Sequence, residues 1–126
     1  MAKRGNQTEH DSMVRSVANY VKEKGHSDVK ADLEGYEKPE LLYWSSTRKG
    51  HYPDVTSTES KDYIFEVETG DSINDLHTED QWKLFSANAK EHSKTFVVVV
   101  PKESESKAWQ RAEELGITVD AVWNVG

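Results

Sequence analysis

The run Thr95-Phe96-Val97-Val98-Val99-Val100 constrains the chain more than any other stretch. Apolar, mostly β-branched residues in unbroken succession make a strand that is apolar on both faces, and such a strand needs a packing layer above and below it. Pro101 ends the run. At 126 residues there is room for one domain and one core. Hydrophobic residues at 35%, with four Trp and five Tyr, suffice to make that domain globular rather than disordered.

The rest of the chain supplies the layers. Residues 1–7 read as a mobile tail and 8–126 as a single domain. "TEHDSMVRSVANYVKEKG" predicts a helix with Thr8 as N-cap, Asp11 completing a capping box, Met13, Val17, Tyr20 and Val21 as its apolar stripe, and Gly25 as its end. "SDVKADLEG" alternates Val29, Ala31 and Leu33 with polar neighbours, the pattern of a half-buried strand. "PELLYWSST" is a candidate strand inside a segment, residues 34–52, that periodicity leaves open. Residues 54–58 and 62–69 predict a hairpin turning at Glu59 to Lys61, with Tyr63, Phe65 and Val67 on one face. A helix capped by Thr78 and carrying Trp82, Phe85 and Ala89 follows. After the valine run come a helix around Ala108, Ala112 and Leu115, closed by Gly116, and a last strand, "ITVDAVWNV". This order predicts an α/β domain with a mixed central sheet of about four to five strands flanked by helices. Trp82, Trp109 and Trp123 read as packing residues.

Several functions are excluded or disfavoured. There is no cysteine, so no disulfide framework and no thiolate zinc site. Five histidines at 10, 26, 51, 77 and 92 show no zinc-binding spacing. Glycine-rich nucleotide loops are absent. A net charge of -7 argues against wholesale attraction to nucleic acid. No apolar stretch approaches the ~20 residues that span a bilayer, and the start lacks a signal-peptide core, so the expectation is a cytoplasmic protein without membrane contact.

The segment "DVTSTESKDYIFEVETG" carries the chemistry. In a strand, Ile64, Glu66 and Glu68 share one face. With the turn at 59–61, residue 58 pairs with 62 and Asp54 falls opposite Glu66; a turn shorter by one residue would send Asp54 to the other face. Facing carboxylates repel unless a proton, a lysine or a metal lies between them. Oxygen-only ligands suit Mg²⁺ or Mn²⁺, which bind one or two carboxylates, waters and phosphate oxygens. Taken alone, each residue also has an ordinary reading: Glu-x-Glu as a salt-bridged surface, Asp54 as a turn starter after Pro53, Glu9 as a first-turn acid answering the helix dipole, Gln81 as surface.

"YPDV", a hairpin turn, then "YIFEVETG" resembles the core of the PD-(D/E)XK nuclease superfamily. The resemblance implies a restriction-endonuclease-like fold over about Thr8 to Val100. It implies Asp54 and Glu66 as ligands of Mg²⁺ or Mn²⁺, the Val67 backbone carbonyl joining them, and Glu9 as an added acid. Gln81 would stand beside the substrate. Glu68 occupies the place of the family's lysine, where it acts as general base or metal contact, or marks a lost activity. Lys61 and Lys83 are candidates to take over the missing charge, and His51 and His10 are accessory candidates near the cluster. The implied function is metal-dependent hydrolysis of nucleic-acid phosphodiesters, with DNA the expected substrate and a homodimer or protein partner supplying further grip. The alternatives are an inactive interaction module of the same fold, or a metal-dependent hydrolase acting on another substrate.

Overall fold

A computed structural model describes residues 7–125. Its elements are α1 (Gln7–Glu23), β1 (Ser27–Ala31), β2 (Leu42–Tyr43), β3 (Gly50–His51), β4 (Val55–Glu59), β5 (Lys61–Val67), α2 (Leu76–His92) and β6 (Thr95–Pro101). A 3-10 turn (Lys102–Ser104), α3 (Glu105–Leu115) and β7 (Ala121–Val125) complete them. Five strands form one mixed sheet in the order β1-β4-β5-β6-β7. β1, β4 and β5 are antiparallel, whereas β6 and β7 run parallel to β5.

The valine run explains this arrangement. Phe96, Val98 and Val100 enter one apolar cluster with Trp82, Phe85 and Ala89 of α2 and Ala108 and Ala112 of α3. Val97 and Val99 enter a second, with Met13, Val14, Val17, Ala18 and Val21 of α1. β6 is thus the central partition of a three-layer domain, and burying each of its valines contributes roughly 1.5–3 kcal/mol. β5 divides its side chains likewise: Ile64 joins the α2/α3 side, and Phe65 and Val67 the α1 side.

The α/β class, the mixed sheet and its five strands match expectation. Details differ for local reasons. α1 already includes Gln7, and the rest of the expected tail, residues 1–6, lies outside the described residues. Thr8 is inside the helix rather than capping it, and Asp11 accepts from Gln7 Nε2 at 2.8 Å instead of closing a capping box. Tyr20 is 49% exposed, its ring edge-on to Trp123. Leu33 lies beyond the end of β1. The N-cap position of α2 is Asp75, which makes no side-chain capping bond, and Thr78 is buried within the helix. Trp82 is fully buried, but Trp109 is 46% exposed and is not a core residue.

The open segment resolves into a small second sheet. β2 pairs antiparallel with β3, Leu42 opposite His51 and Tyr43 opposite Gly50. A turn with Arg48 at φ 64° joins them. Gly50 is required there, because a Cβ would lie 2.5 Å from the Leu42 carbonyl oxygen.

Candidate active site

The hairpin places the first two acids. Thr58 pairs with Asp62 and Val55 with Phe65, with Ser60 alone at the tip in the left-handed region, φ 63°. One step further, the same register sets Asp54 opposite Glu66, as the turn length predicts. The bonds at this point are reciprocal. Asp54 N–H donates to Glu66 Oε1 at 3.1 Å, and Val67 N–H donates to Asp54 Oδ2 at 2.8 Å. Each carboxylate therefore takes a main-chain N–H of the opposing strand, and the pair is fixed where the ladder ends. Asp54 is 5% exposed and Glu66 fully buried.

α1 contributes His10, which is 3% exposed. Its Nε2 lies 3.2 Å from Asp54 Oδ2 and its Nδ1 3.3 Å from Asp11 Oδ1, so the ring bridges two carboxylates. Glu9 sits in the first turn of α1, half-buried. Its neighbour His10 reaches Asp54 from α1.

Glu68 is engaged by side-chain donors. It accepts hydrogen bonds from Ser72 Oγ at 2.6 Å, Trp82 Nε1 at 3.2 Å and Thr78 Oγ1 at 3.4 Å. These donors come from the β5–α2 loop and α2, so the carboxylate fastens the start of α2 to the end of β5.

A cleft of about 830 Å³ opens at this end of the sheet. Asp54 lies on its wall with His10 and Arg15 of α1, His51 of β3, and His77 and Gln81 of α2. Lys38 and Tyr52 also border it, and Lys38 Nζ sits 3.8 Å over the Tyr52 ring. Gln81 is 6% exposed, and its Oε1 is buried without a hydrogen-bond partner among the described residues. An acceptor in that state costs free energy until a ligand or water supplies a donor.

Neither candidate lysine reaches this place. Lys61 is at the hairpin tip, about 17 Å from Glu66 along a strand rising ~3.4 Å per residue. Lys83 is paired with Glu79 at 2.8 Å and does not line the cleft. That hydrogen bond, aided by the charges of Lys83 and Arg111, holds the Glu79 carboxyl below the usual carboxylate range despite some desolvation. The cations at the cleft are Arg15 and Lys38. Sequence reading missed them, together with His77, because they lie on segments without a motif. Lys38 beside Pro39 was the one available hint.

The donor set is compatible with a hard divalent cation. Among the described residues, no group of three or more His, Asp or Glu side chains is arranged to hold a metal by itself. Mg²⁺ needs only one or two carboxylates, since water and phosphate oxygens fill its shell. Asp54 and Glu66 offer two, with the Val67 backbone adjacent. No helix is long and apolar enough to cross a membrane. Compared with family models, curated proteins and solved structures, the chain finds no match in any of the three.

Proposed function

We propose that the protein is a metal-dependent nuclease of the PD-(D/E)XK type, hydrolysing phosphodiester bonds in nucleic acid, with Asp54 and Glu66 holding Mg²⁺ or Mn²⁺. The observation that carries this reading is the meeting of Asp54 and Glu66 across the β4–β5 register, with Asp54 on the cleft wall. The order α1-β1-β4-β5-α2-β6 supports it: three antiparallel strands and a parallel fourth, with a helix before and between, agree with a restriction-endonuclease-like core. The first turn of α2 borders the cleft through His77, so the partial positive charge of a helix start is available to a phosphate.

When bound, the ion would lower the pKa of a coordinated water and offset charge growing on the phosphate. The chain's own residues do the rest. Asp54 and Glu66 are held by main-chain N–H groups and do not have to be reorganised. Lys38 and Arg15 offer positive charge at the rim to an anionic strand. Gln81 offers an acceptor, and Glu68 holds α2 in place.

A second reading, an interaction module of the same fold without activity, is favoured by Glu68, which stands in the lysine position and is engaged with Ser72, Thr78 and Trp82. Calorimetric titration of Mn²⁺ into wild type and Asp54→Ala, beside cleavage assays on single-stranded, duplex and branched DNA and on RNA, separates the two. Saturable binding lost in the variant, with metal-dependent cleavage, supports the nuclease. Absence of binding in both proteins supports the module.

A further inference from the structure

The nuclease reading leaves one task unassigned: neither Lys61 nor Lys83 lines the cleft to orient and activate the attacking water. The cleft contains another group suited to it. His51 Nε2 lies 2.7 Å from Asp80 Oδ2, and the imidazole is 14% exposed. Its ring packs edge-on against His77 and Phe85, at 5.2 and 6.4 Å between centroids. The backbone is fixed as well, since His51 pairs with Leu42 and is preceded by Gly50 in a contact too tight for a Cβ.

A carboxylate on one ring nitrogen fixes the tautomer, with the proton on Nε2 and a lone pair on Nδ1. Nδ1 makes no hydrogen bond among the described residues. Next to Asp80 in sequence stands Gln81, more than nine-tenths buried, with Oε1 lacking a donor and its side chain on the same cleft. A basic nitrogen and an unpartnered carbonyl oxygen together suit a molecule with two O–H groups to give. Water is that molecule.

We propose that His51, oriented by Asp80, is the general base of this cleft, and that Gln81 Oε1 accepts a hydrogen bond from the same attacking water. This inference rests on the phosphodiester hydrolysis proposed above. The water oxygen forms a bond to phosphorus while one of its protons passes to His51 Nδ1. The bond from phosphorus to the leaving ester oxygen breaks, and its electron pair departs with that oxygen. The leaving oxygen is then protonated, by the imidazolium or by solvent, giving a phosphomonoester and a free hydroxyl. The charged and titratable groups around His51 are Asp80 and His77 on α2, His10, Asp11 and Arg15 on α1, and Asp32, Glu34, Tyr36, Lys38, Tyr52 and Asp54 on the strand ends and loops of the shared cleft.

The test is single-turnover cleavage with Mn²⁺ between about pH 5 and 8, the range in which histidine titrates. Wild type, His51→Gln, Asp80→Asn and Asp54→Asn are compared, with Mn²⁺ affinity and thermal unfolding measured on each. Expected for His51→Gln is a roughly 10²-fold lower rate with the acid limb of the pH profile removed, while folding and Mn²⁺ affinity stay as in wild type. Nitrogen-resolved NMR of wild type should show the neutral ring protonated on Nε2, a preference weakened in Asp80→Asn. Cleavage lost in Asp54→Asn but unchanged in rate and acid limb in His51→Gln overturns the dyad and leaves the carboxylate site standing. An Nδ1-protonated ring overturns the dyad as well. Wild type that neither cleaves nor binds Mn²⁺ overturns both.

Discussion

Glu66, in β5, and Glu68, one residue past its end, are both fully removed from solvent, and the donors seen at each differ in kind. Glu68 is met by side-chain donors: a hydroxyl from the following loop, a hydroxyl and an indole N–H from α2. Glu66 meets main chain, the amide of Asp54, whose own side chain lies on the cleft wall. A carboxylate surrounded by side-chain donors is a fastening. One set beside a second carboxylate is of the kind a divalent cation can bridge. Position in a motif does not decide between these roles; the donors do.

The comparison is sharpened most by Glu66→Gln. This variant keeps an acceptor for the Asp54 amide, so stability should stay within about 1 kcal/mol of wild type. Metal-dependent cleavage should fall on the order of 10³-fold, measured as single-turnover rate, because a ligand charge is gone. Retained cleavage would remove Glu66 from the working site.

Glu68→Ala should do the reverse. Leaving Ser72 and Trp82 without their acceptor, and a void behind them, should cost about 2–4 kcal/mol in urea unfolding. Mn²⁺ affinity should be unchanged in the folded protein. Loss of Mn²⁺ binding without loss of stability would break the comparison and return Glu68 to the metal site. Trp82→Phe removes only one of the three donors and should cost about 1–2 kcal/mol by the same measurement, with cleavage intact.

Much of this contrast was readable before the fold was known. For a turn at 59–61, strand alternation set Asp54 opposite Glu66; a turn shorter by one residue would have sent it to the other face, and the observed register selects the first. The valine run likewise announced a partition strand. Glu68's donors were not readable, since Ser72, Thr78 and Trp82 are gathered by a loop and a helix whose placement depends on the whole α2 face. Thr78 shows the difficulty: its type suggested a cap, and its hydroxyl is instead recruited by Glu68. The His51–Asp80 contact was hidden for another reason. β2 and β3 contain two residues each, too few for any periodicity to register. Local propensity misled at Tyr20 too, a good stripe residue left half in water because Val21 and Val17 already fill that face of α1.

Glu79 provides the partly exposed counterpart to both buried acids, and the smallest effect. Its carboxyl is held below the ordinary range, chiefly by Lys83. A lowered folded-state value means that the pair adds stability above the ordinary carboxylate range and loses it as pH falls through the lowered value. Glu79→Gln should therefore unfold slightly earlier than wild type near neutral pH. The gap should close in acid and shrink in high salt. A gap independent of pH would assign the effect to packing instead.

The single-residue tip of the β4–β5 hairpin has an evolutionary corollary. Asp54 and Glu66 meet because the residues between them number as they do, so selection acts here on length rather than on composition. Exchanges at Glu59 or Lys61 leave the pairing intact, and Gly or Asn in place of Ser60 would suit its backbone. Insertion of one residue, though at the end of the hairpin farthest from the cleft, would turn one acid to the opposite side of the sheet. Descendants of this chain that keep the Asp54–Glu66 pairing should vary freely in the letters of that tip and not in their number.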